Sequence, residues 1–472
     1  MKIKKQDTFE KVHIVRMTVE GTGLVHIGKL PVFVKGNVAP DDIVDIRITK
    51  VRKNACEATV TQFHTQSEQH NSPKCIHFGV CGGCKWQHID YASQLQQKQY
   101  FVQHAFQKNI PDFHFKISPI IAAPQPYYYR NKMEFTFCTE KWLTAEEISD
   151  KNTLFDRNAL GLHVPQRFDK VLDLQECHLL DERVAKILQT VREYAKKSSK
   201  TFYDIKNHTG FWRNLVLRKS YTTDDFMCIL IVAEPDTEFI HEAISYFQKQ
   251  FDFITSWIYI INTKLNDYYQ DLEYHTFAGK PYIEENFEGI VFRISPLSFF
   301  QTNTLQAKTL YQTAVQFAEI QPEHVVYDLY TGTGTIANYI AKKAKKVIGI
   351  ELVDAATKDA LQNAHINQNE NIHFFAGDMK NILTLQFVQQ HGKPDILITD
   401  PPRAGMHADV VQTIITVKPK TIVYVSCNPE TQAHDIAQLL PYYDLVALQP
   451  VDMFPQTAHV ECVAKLVEKE NP

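Results

Sequence analysis

With 472 residues the chain has room for two to four domains, and its 44% hydrophobic and 22% charged residues exclude a disordered or fibrous protein. A net charge of −4 excludes a uniformly basic nucleic-acid coat, and no apolar run of about 18 residues suggests a membrane span. Nine cysteines, an odd number with no signal-peptide core ahead of them, argue against secreted disulfides and for a reducing cytoplasm.

Charge is unevenly spread. Residues 1–60 hold 11 Lys/Arg against 7 Asp/Glu, and Lys345-Lys346 and the Arg213/Arg218/Lys219 group add local basic spots. Salt limits the reach of a charge to about 8 Å, so an acidic protein can still bind RNA through such patches.

From about residue 8 to 62 the pattern predicts short strands. Val12–Val15 and Pro31–Val34 are apolar or alternating, and Asp42–Ile48 alternates with period two, as a half-buried strand does. Gly21, Gly23, Gly28 and Gly36 punctuate them, which suits a small closed β-barrel. Its last stretch, Thr49–Asn54, is basic and reads equally as a solvated edge or as an RNA-contacting face.

Residues 63–88 form a cysteine-bearing loop. Cys75, Cys81 and Cys84 are a tight triplet, and Gly82-Gly83 lets the backbone wrap so that thiols converge. A metal site needs a fourth ligand, for which Cys177 is the candidate, with His77, His88 or His178 as substitutes in a zinc site. Four thiolates suit zinc or an iron–sulfur cluster, and the spacing does not choose between them. Cys56, Cys138, Cys228 and Cys462 read as core residues.

Residues 90–108 read as a helix, expected to pack on the C-terminal part of the chain. A mixed α/β stretch follows to about 290, with strand-like Met227–Val232 and Trp257–Ile261. From 291 the pattern becomes strand–helix alternation. Val325–Tyr327, Lys346–Ile350, Ile396–Ile398 and Thr421–Val425 are apolar and β-branched, as central parallel strands are. The expected organisation is therefore a barrel (1–62), a central α/β domain (63–290) and a doubly wound, Rossmann-like α/β domain (291–472).

Asp328 ends a strand, and Gly332-Thr333-Gly334 opens a helix. Glycines there allow a sharp turn and close approach to a ligand. About twenty residues on, Glu351 ends the next strand, where a carboxylate can take both ribose hydroxyls. Gly332, Gly334 and Ala337 would also fit a dinucleotide fingerprint, so this loop does not separate NAD from S-adenosylmethionine. Asp400-Pro401-Pro402 ends the fourth strand and favours the methyl donor, because it delivers a carboxylate beside the cofactor on an extended backbone.

Cys427, at the end of strand 421–425, lies on the same sheet edge. A thiol beside a methyl donor suggests transfer to a carbon that must first be activated, and uracil C5 is such a carbon. Thiolate addition at C6 makes C5 nucleophilic, and a separate base then removes the C5 proton. Local dipoles or basic groups are expected to activate the thiol. Glu461 is the best candidate base, with apolar neighbours to raise its pKa. A buried core cysteine and a surface glutamate are the ordinary alternatives.

These motifs together resemble the RNA uracil-5-methyltransferase family, in particular its bacterial 23S ribosomal RNA branch, over nearly the whole chain. The resemblance implies a class I S-adenosylmethionine-dependent methyltransferase domain at 291–472 and a TRAM-like RNA-binding barrel at 1–62. It implies that Cys75, Cys81, Cys84 and Cys177 hold a [4Fe-4S] cluster. Ser298–Asn303 is similar to the family's cofactor-side motif, so Gln301 is implied as a contact to S-adenosylmethionine. Tyr330, Thr335, Glu351, Asp378 and Asp400 fall at positions resembling other contacts, with Asp378 resting on spacing. Ser426-Cys427-Asn428-Pro429 resembles the nucleophile motif and Glu461 the base. Tyr129–Lys132 and Phe211–Leu215 resemble substrate-domain segments.

The expectation is a cytoplasmic monomer that methylates uridine C5 in 23S ribosomal RNA without membrane attachment. The same chemistry on transfer RNA is the near rival. An NAD-dependent oxidoreductase and a non-catalytic RNA-binding module are the distant ones.

Overall fold

The computed structural model describes residues 3–150 and 155–470. The first sheet has six strands, β1 (Thr8–His13), β2 (Arg16–Met17), β3 (Gly23–Ile27), β4 (Leu30–Lys35), β5 (Ile43–Val51) and β6 (Cys56–Thr65), in spatial order β1-β5-β6-β4-β3-β2. The period-two pattern holds in β5. Val44, Ile46 and Ile48 are fully buried and join Ile14, Val25 and Val32 in one apolar cluster, while Arg47 faces out. The strand expected at Val12–Val15 instead ends at His13. Ile14 turns inward, bonding the backbone of Asp42 and Asp41 at 2.9 and 2.8 Å.

The cysteine-bearing segment leads to helix α1 (Tyr91–Asn109), capped by the Asp90 side chain on Ser93 N at 3.0 Å. A second sheet follows, with β7 (Lys132–Cys138), β8 (Ala159–Val164), β9 (Arg167–Asp173), β10 (Trp212–Lys219), β11 (Phe226–Val232), β12 (Ser256–Ile261) and β13 (Tyr274–Gly279). Its order is β13-β12-β11-β10-β7-β8-β9. Helices α2 (Ala145–Ser149), α3 (Val184–Lys197) and α4 (Thr237–Gln250) are interleaved along the chain. Leu215 and Leu217 pack with Ile187, Leu188 and Ile244 of α3 and α4. Val216 and Ile229 pack the opposite way, into a cluster that runs through the hairpin β14 (Ile283–Phe287) and β15 (Ile290–Ile294) to the last sheet. The expected junction between 290 and 291 falls inside β15.

The last sheet holds β16 (Val325–Leu329), β17 (Lys346–Glu351), β18 (Ile372–Ala376), β19 (Ile396–Thr399), β20 (Thr421–Ser426), β21 (Tyr443–Val451) and β22 (Glu461–Glu468). Its helices are α5 (Thr304–Ala318), α6 (Thr335–Ile340), α7 (Asp354–Ile366), α8 (Met379–Ile382), α9 (Leu385–His391), α10 (Ala408–Val417) and α11 (Pro429–Leu439). The order is β18-β17-β16-β19-β20-β22-β21. The first five strands are parallel, as the apolar runs predict, but β22 runs antiparallel between β20 and β21. The direction of the chain reverses between β16 and β19, which opens a crevice at their carboxyl ends. Helix α1 packs on this unit: Val102 and Phe106 share a cluster with Ala433, Ile436 and Leu439 of α11, and Lys108 pairs with Glu430 at 2.9 Å.

One expected basic spot does not reach solvent. Arg213 and Arg218 are 1% and 3% exposed. Arg213 donates to the carbonyls of Asn262, Lys264 and Asn266 and pairs with Asp267, and Arg218 donates to the carbonyls of Ser295 and Ser298. Buried guanidinium groups need such partners, and these two brace loops. Lys219 pairs with Asp181 at 2.9 Å. Among the described residues no helix is long and apolar enough to cross a membrane.

Candidate active site

The loop after β16 is held from beneath by Asp328. This buried carboxylate accepts from Thr331 Oγ1 at 2.5 Å and from Ala337 N at 3.1 Å, and burial raises its pKa to about 7. Tyr330 takes a left-handed φ of 63°, a strained state for a residue with a Cβ. Gly332 and Gly334 also have positive φ, for different reasons. A Cβ on Gly334 would lie 2.9 Å from Ala360 Cβ and Phe374 Cζ, whereas one on Gly332 would meet nothing within 4 Å. Gly334 therefore serves packing, and Gly332 leaves the crevice open.

Glu351, at the end of β17, accepts from Gly332 N and Val353 N, each at 3.0 Å. These bonds aim the carboxylate at the loop and leave each oxygen a further lone pair. Asp378 follows β18 and caps α8 on Lys380 N at 3.2 Å. Thr335 begins α6, its hydroxyl 3.4 Å from that of Thr333. Gln301 lies between β15 and α5, where its carbonyl accepts from Asn131 Nδ2 at 2.8 Å. Asn131 N also donates to Thr302 O at 2.7 Å, so the Tyr129–Lys132 segment ties the second sheet to this loop.

The other half of the crevice is built by β19, β20 and β22. Asp400 follows β19 and donates its amide to Leu329 O at 3.3 Å. Cys427 follows β20. Because β22 is antiparallel to β20, with Ser426 opposite Cys462, the first residue of β22, Glu461, comes to the same edge. Glu461 is 3% exposed. Burial and then the charge of Asp400 raise Glu461 well above the usual carboxylate range, while Arg403 acts against them. Burial and the charge of Asp328 raise Asp400 in the same direction. Cys427 is half-buried, and burial followed by the charges of Glu461 and Asp400 pushes its thiol up to about 11. The expected activation by basic groups is thus outweighed: Arg403 lowers this pKa, but two carboxylates and burial raise it.

The sequence reading assigned no role to Arg403 or His459. The Arg403 carbonyl accepts from Asn428 Nδ2 at 3.0 Å and from Thr431 Oγ1 at 3.2 Å, which fixes it over the start of α11. Its guanidinium lies 3.4 Å from His459 Nδ1 and forms no ion pair among the described residues. Burial and surrounding cations, Arg403 first, depress His459 to about 4, so the ring is neutral at physiological pH. Arg403 adjoins the Asp-Pro-Pro signal and could have been found there.

The cysteines other than Cys427 divide into two groups by burial. Cys56, Cys138, Cys228 and Cys462 are buried, whereas Cys75, Cys81, Cys84 and Cys177 are part-exposed and line one small cavity with Phe78, Leu162, Leu174 and Leu179. Gly83 N donates to Cys81 Sγ at 3.4 Å, and a Cβ on Gly82 would press to 3.0 Å from His163 O. Burial raises the Cys84 thiol to about 12 and Cys177 to about 11. Any bound metal must therefore displace protons. His178 is engaged by Tyr128 at 2.8 Å and Glu176 at 3.0 Å, His77 accepts from Gln175 N at 2.9 Å, and His88 bonds Val38 O at 2.9 Å. Among the described residues no three His, Cys, Asp or Glu side chains are gathered tightly enough for a single metal ion.

Residues 279–469 match the family described as tRNA (Uracil-5-)-methyltransferase. A protein of Bacteroides thetaiotaomicron described as an uncharacterized RNA methyltransferase is 44% identical over 95% of this chain and 99% of its own length. One from Porphyromonas gingivalis with the same description is 43% identical over 97% and 99%. Among solved structures, the Pyrococcus abyssi tRNA (uracil-54, C5)-methyltransferase in complex with S-adenosyl-L-homocysteine aligns with a TM-score of 0.75 at 27% identity, covering 97% of this chain and 99% of that one. With a thiol, two carboxylates and a glycine loop on one sheet edge and relatives of this kind along its whole length, the chain belongs to the tRNA (uracil-5-)-methyltransferase family of RNA-methylating enzymes.

Proposed function

We propose that the protein methylates C5 of a uridine in 23S ribosomal RNA, with S-adenosylmethionine as donor. The observation that carries the C5 chemistry is the meeting of Cys427, Asp400 and Glu461 at the mouth of the Gly332 loop, and the choice of 23S RNA rests on the motif resemblance alone. The bound donor would supply an electrophilic methyl group. Gln301, Tyr330, Thr335, Glu351, Asp378 and Asp400 would hold it around the crevice, and Gly332 keeps that space clear.

The protein's own residues supply the rest. The Cys427 thiol gives up its proton to solvent, the sulfur adds to C6 of the uracil, and the C5–C6 π electrons shift toward the O4 carbonyl. C5 then forms its bond to the methyl carbon as that carbon's bond to the donor sulfur breaks, the electron pair staying on that sulfur. Glu461 takes the C5 proton, the double bond reforms, and the Cys427–C6 bond breaks with its electrons returning to sulfur. Burial beside Asp400 makes Glu461 an avid proton acceptor once ionised, and Arg403 supports that ionised state. The target base must be single-stranded or flipped out for C6 to reach the thiol.

RNA carrying 5-fluorouridine has no C5 proton to lose, so with the donor present it should trap a denaturant-stable adduct. Cys427→Ala should abolish it, and an adduct that survives the substitution would exclude this mechanism.

A second reading, transfer RNA as substrate, is favoured by one observation. The Pyrococcus enzyme aligns over 97% of the chain, including the first sheet and the cysteine segment, so those regions do not separate the two substrates. Offering purified 23S and transfer RNA separately decides between them. The NAD-dependent reading loses its support to the family match.

We further propose that Cys75, Cys81, Cys84 and Cys177 hold a [4Fe-4S] cluster of structural role. Four thiols line one small cavity together with Phe78, Leu162, Leu174 and Leu179 and the polar Gln87, Glu176 and His178, and an all-cysteine donor set of this kind suits an iron–sulfur core. The chemistry above needs no electron transfer.

A further inference from the structure

We propose that Gln94 is a positioning residue for catalysis. From α1 it holds the 452–460 loop, which leads into Glu461, in register with the cysteine-bearing segment. The proposal rests on the reading of Glu461 as the proton acceptor.

Tyr91, Gln94 and Lys98 lie three and four residues apart and so share one helix face. All three grip the same loop. Tyr91 donates to Asp452 at 2.7 Å. Lys98 donates to Asp452 at 2.5 Å and to Phe454 O at 2.9 Å, in an ion pair whose side chains are both 0% exposed. Such a pair stands only with its polar atoms satisfied, as here.

Gln94 does something the other two do not. It is 1% exposed, and its Oε1 accepts from Gln456 N at 2.9 Å. Its Nε2 lies 3.1 Å from Gln456 Oε1, 3.0 Å from Trp86 O and 2.9 Å from Ile89 O. Gln456 O in turn accepts from Lys85 N at 2.9 Å and Trp86 N at 3.1 Å, the two residues directly after Cys84. One amide thus joins two segments that meet at Gln456.

Gln456 has a left-handed φ of 67°, so the loop there does not hold itself. Its shape is imposed by α1 and by the Lys85–Trp86 backbone. Five residues later the chain enters β22 at Glu461. An apolar side chain at position 94 would strand buried polar groups of Gln456, Trp86 and Ile89. The loop would relax to satisfy them and move the carboxylate away from the substrate.

The test is Gln94→Met, similar in shape but unable to hydrogen-bond. Methylation kcat should fall at least tenfold with the donor KM within twofold. The Cys427 adduct with 5-fluorouridine RNA should still form at close to the wild-type rate. On ordinary uridine RNA a denaturant-stable complex should accumulate, because the step that follows addition is the slow one. Should Gln94→Met not fold, Gln456→Gly should move the same readouts in the same direction but less, since it removes only the Gln456 Oε1 bond to Gln94 Nε2 and keeps the left-handed backbone and the backbone bonds to Gln94, Lys85 and Trp86. Gln456→Asn should restore most of the rate.

An unchanged kcat in folded Gln94→Met overturns the proposal. So does a parallel loss of adduct and product, which would mean a general loss of fold. Glu461→Gln is the control for the underlying reading: if it methylates at the wild-type rate, Glu461 is not the acceptor, whatever the Gln94 variants do.

Discussion

At the scale of single residues, the thiol is the informative one. Its pKa, pushed up to about 11, leaves very little thiolate at neutral pH, so the thiol's reactivity is masked. The causes identify what would unmask it. Burial comes first, then the negative charges of Glu461 and Asp400, with Arg403 opposing them. A sulfonium cation bound beside Asp400 would cancel part of that field. Iodoacetamide labelling of the Cys427 peptide, followed by mass spectrometry, should therefore rise about tenfold per pH unit through the range below 11. Arg403→Ala should slow labelling at any one pH, because it removes the cation that favours thiolate. S-adenosylmethionine should speed it more than its product does, whose sulfur carries no charge. Labelling indifferent to Arg403 would mean that the guanidinium does not face the sulfur. The sign of this shift was not legible in the sequence. Ser426-Cys427-Asn428-Pro429 marks a strand end, but Glu461 reaches the thiol through a pairing of distant strands.

At the scale of elements, legibility followed the range of the interactions. The parallel strands β16, β17, β19 and β20 announce themselves as β-branched apolar runs, because burial on both faces is written locally. The antiparallel pair β21–β22 does not, since direction and neighbour depend on where the chain returns. The glycine loop was legible as a motif, but not the division of labour within it. That division is testable. Gly334→Ala forces a Cβ to within 2.9 Å of Ala360 and Phe374 at positive φ, and should cost about 1–3 kcal/mol in denaturant unfolding. Gly332→Ala meets no neighbour and should cost only about 1 kcal/mol of backbone strain, yet it should weaken cofactor binding by calorimetry far more than Gly334→Ala does. Equal effects of the two substitutions on binding would mean that the crevice does not pass over Gly332.

At the scale of the whole molecule, hydrogen bonds join the cysteine cavity to the loop that carries Glu461. Cys84 is followed directly by Lys85 and Trp86, whose amides hold Gln456 O. Tyr129, whose pKa is raised by burial and in part by the nearby Cys84, donates to Pro455 O at 2.9 Å in the same loop. Asn303, which caps α5 two residues after Gln301, donates to Met453 O at 2.9 Å. The loop before Glu461 is therefore held from the cysteine segment, from α1 and from the Gln301 turn. No local pattern could have revealed this, because the Gln94–Gln456 contact spans 362 residues of sequence. If the four thiols fix the path of residues 75–84, loosening one of them should loosen the loop at a distance. Cys84→Ala should raise amide hydrogen exchange across 453–460 while leaving the β16–β20 strands protected, and methylation should fall with Cys427 untouched. Exchange confined to residues 75–89, with the 453–460 amides as slow as before, would mean that α1 alone secures the loop and that the cysteine cavity is mechanically separate from catalysis.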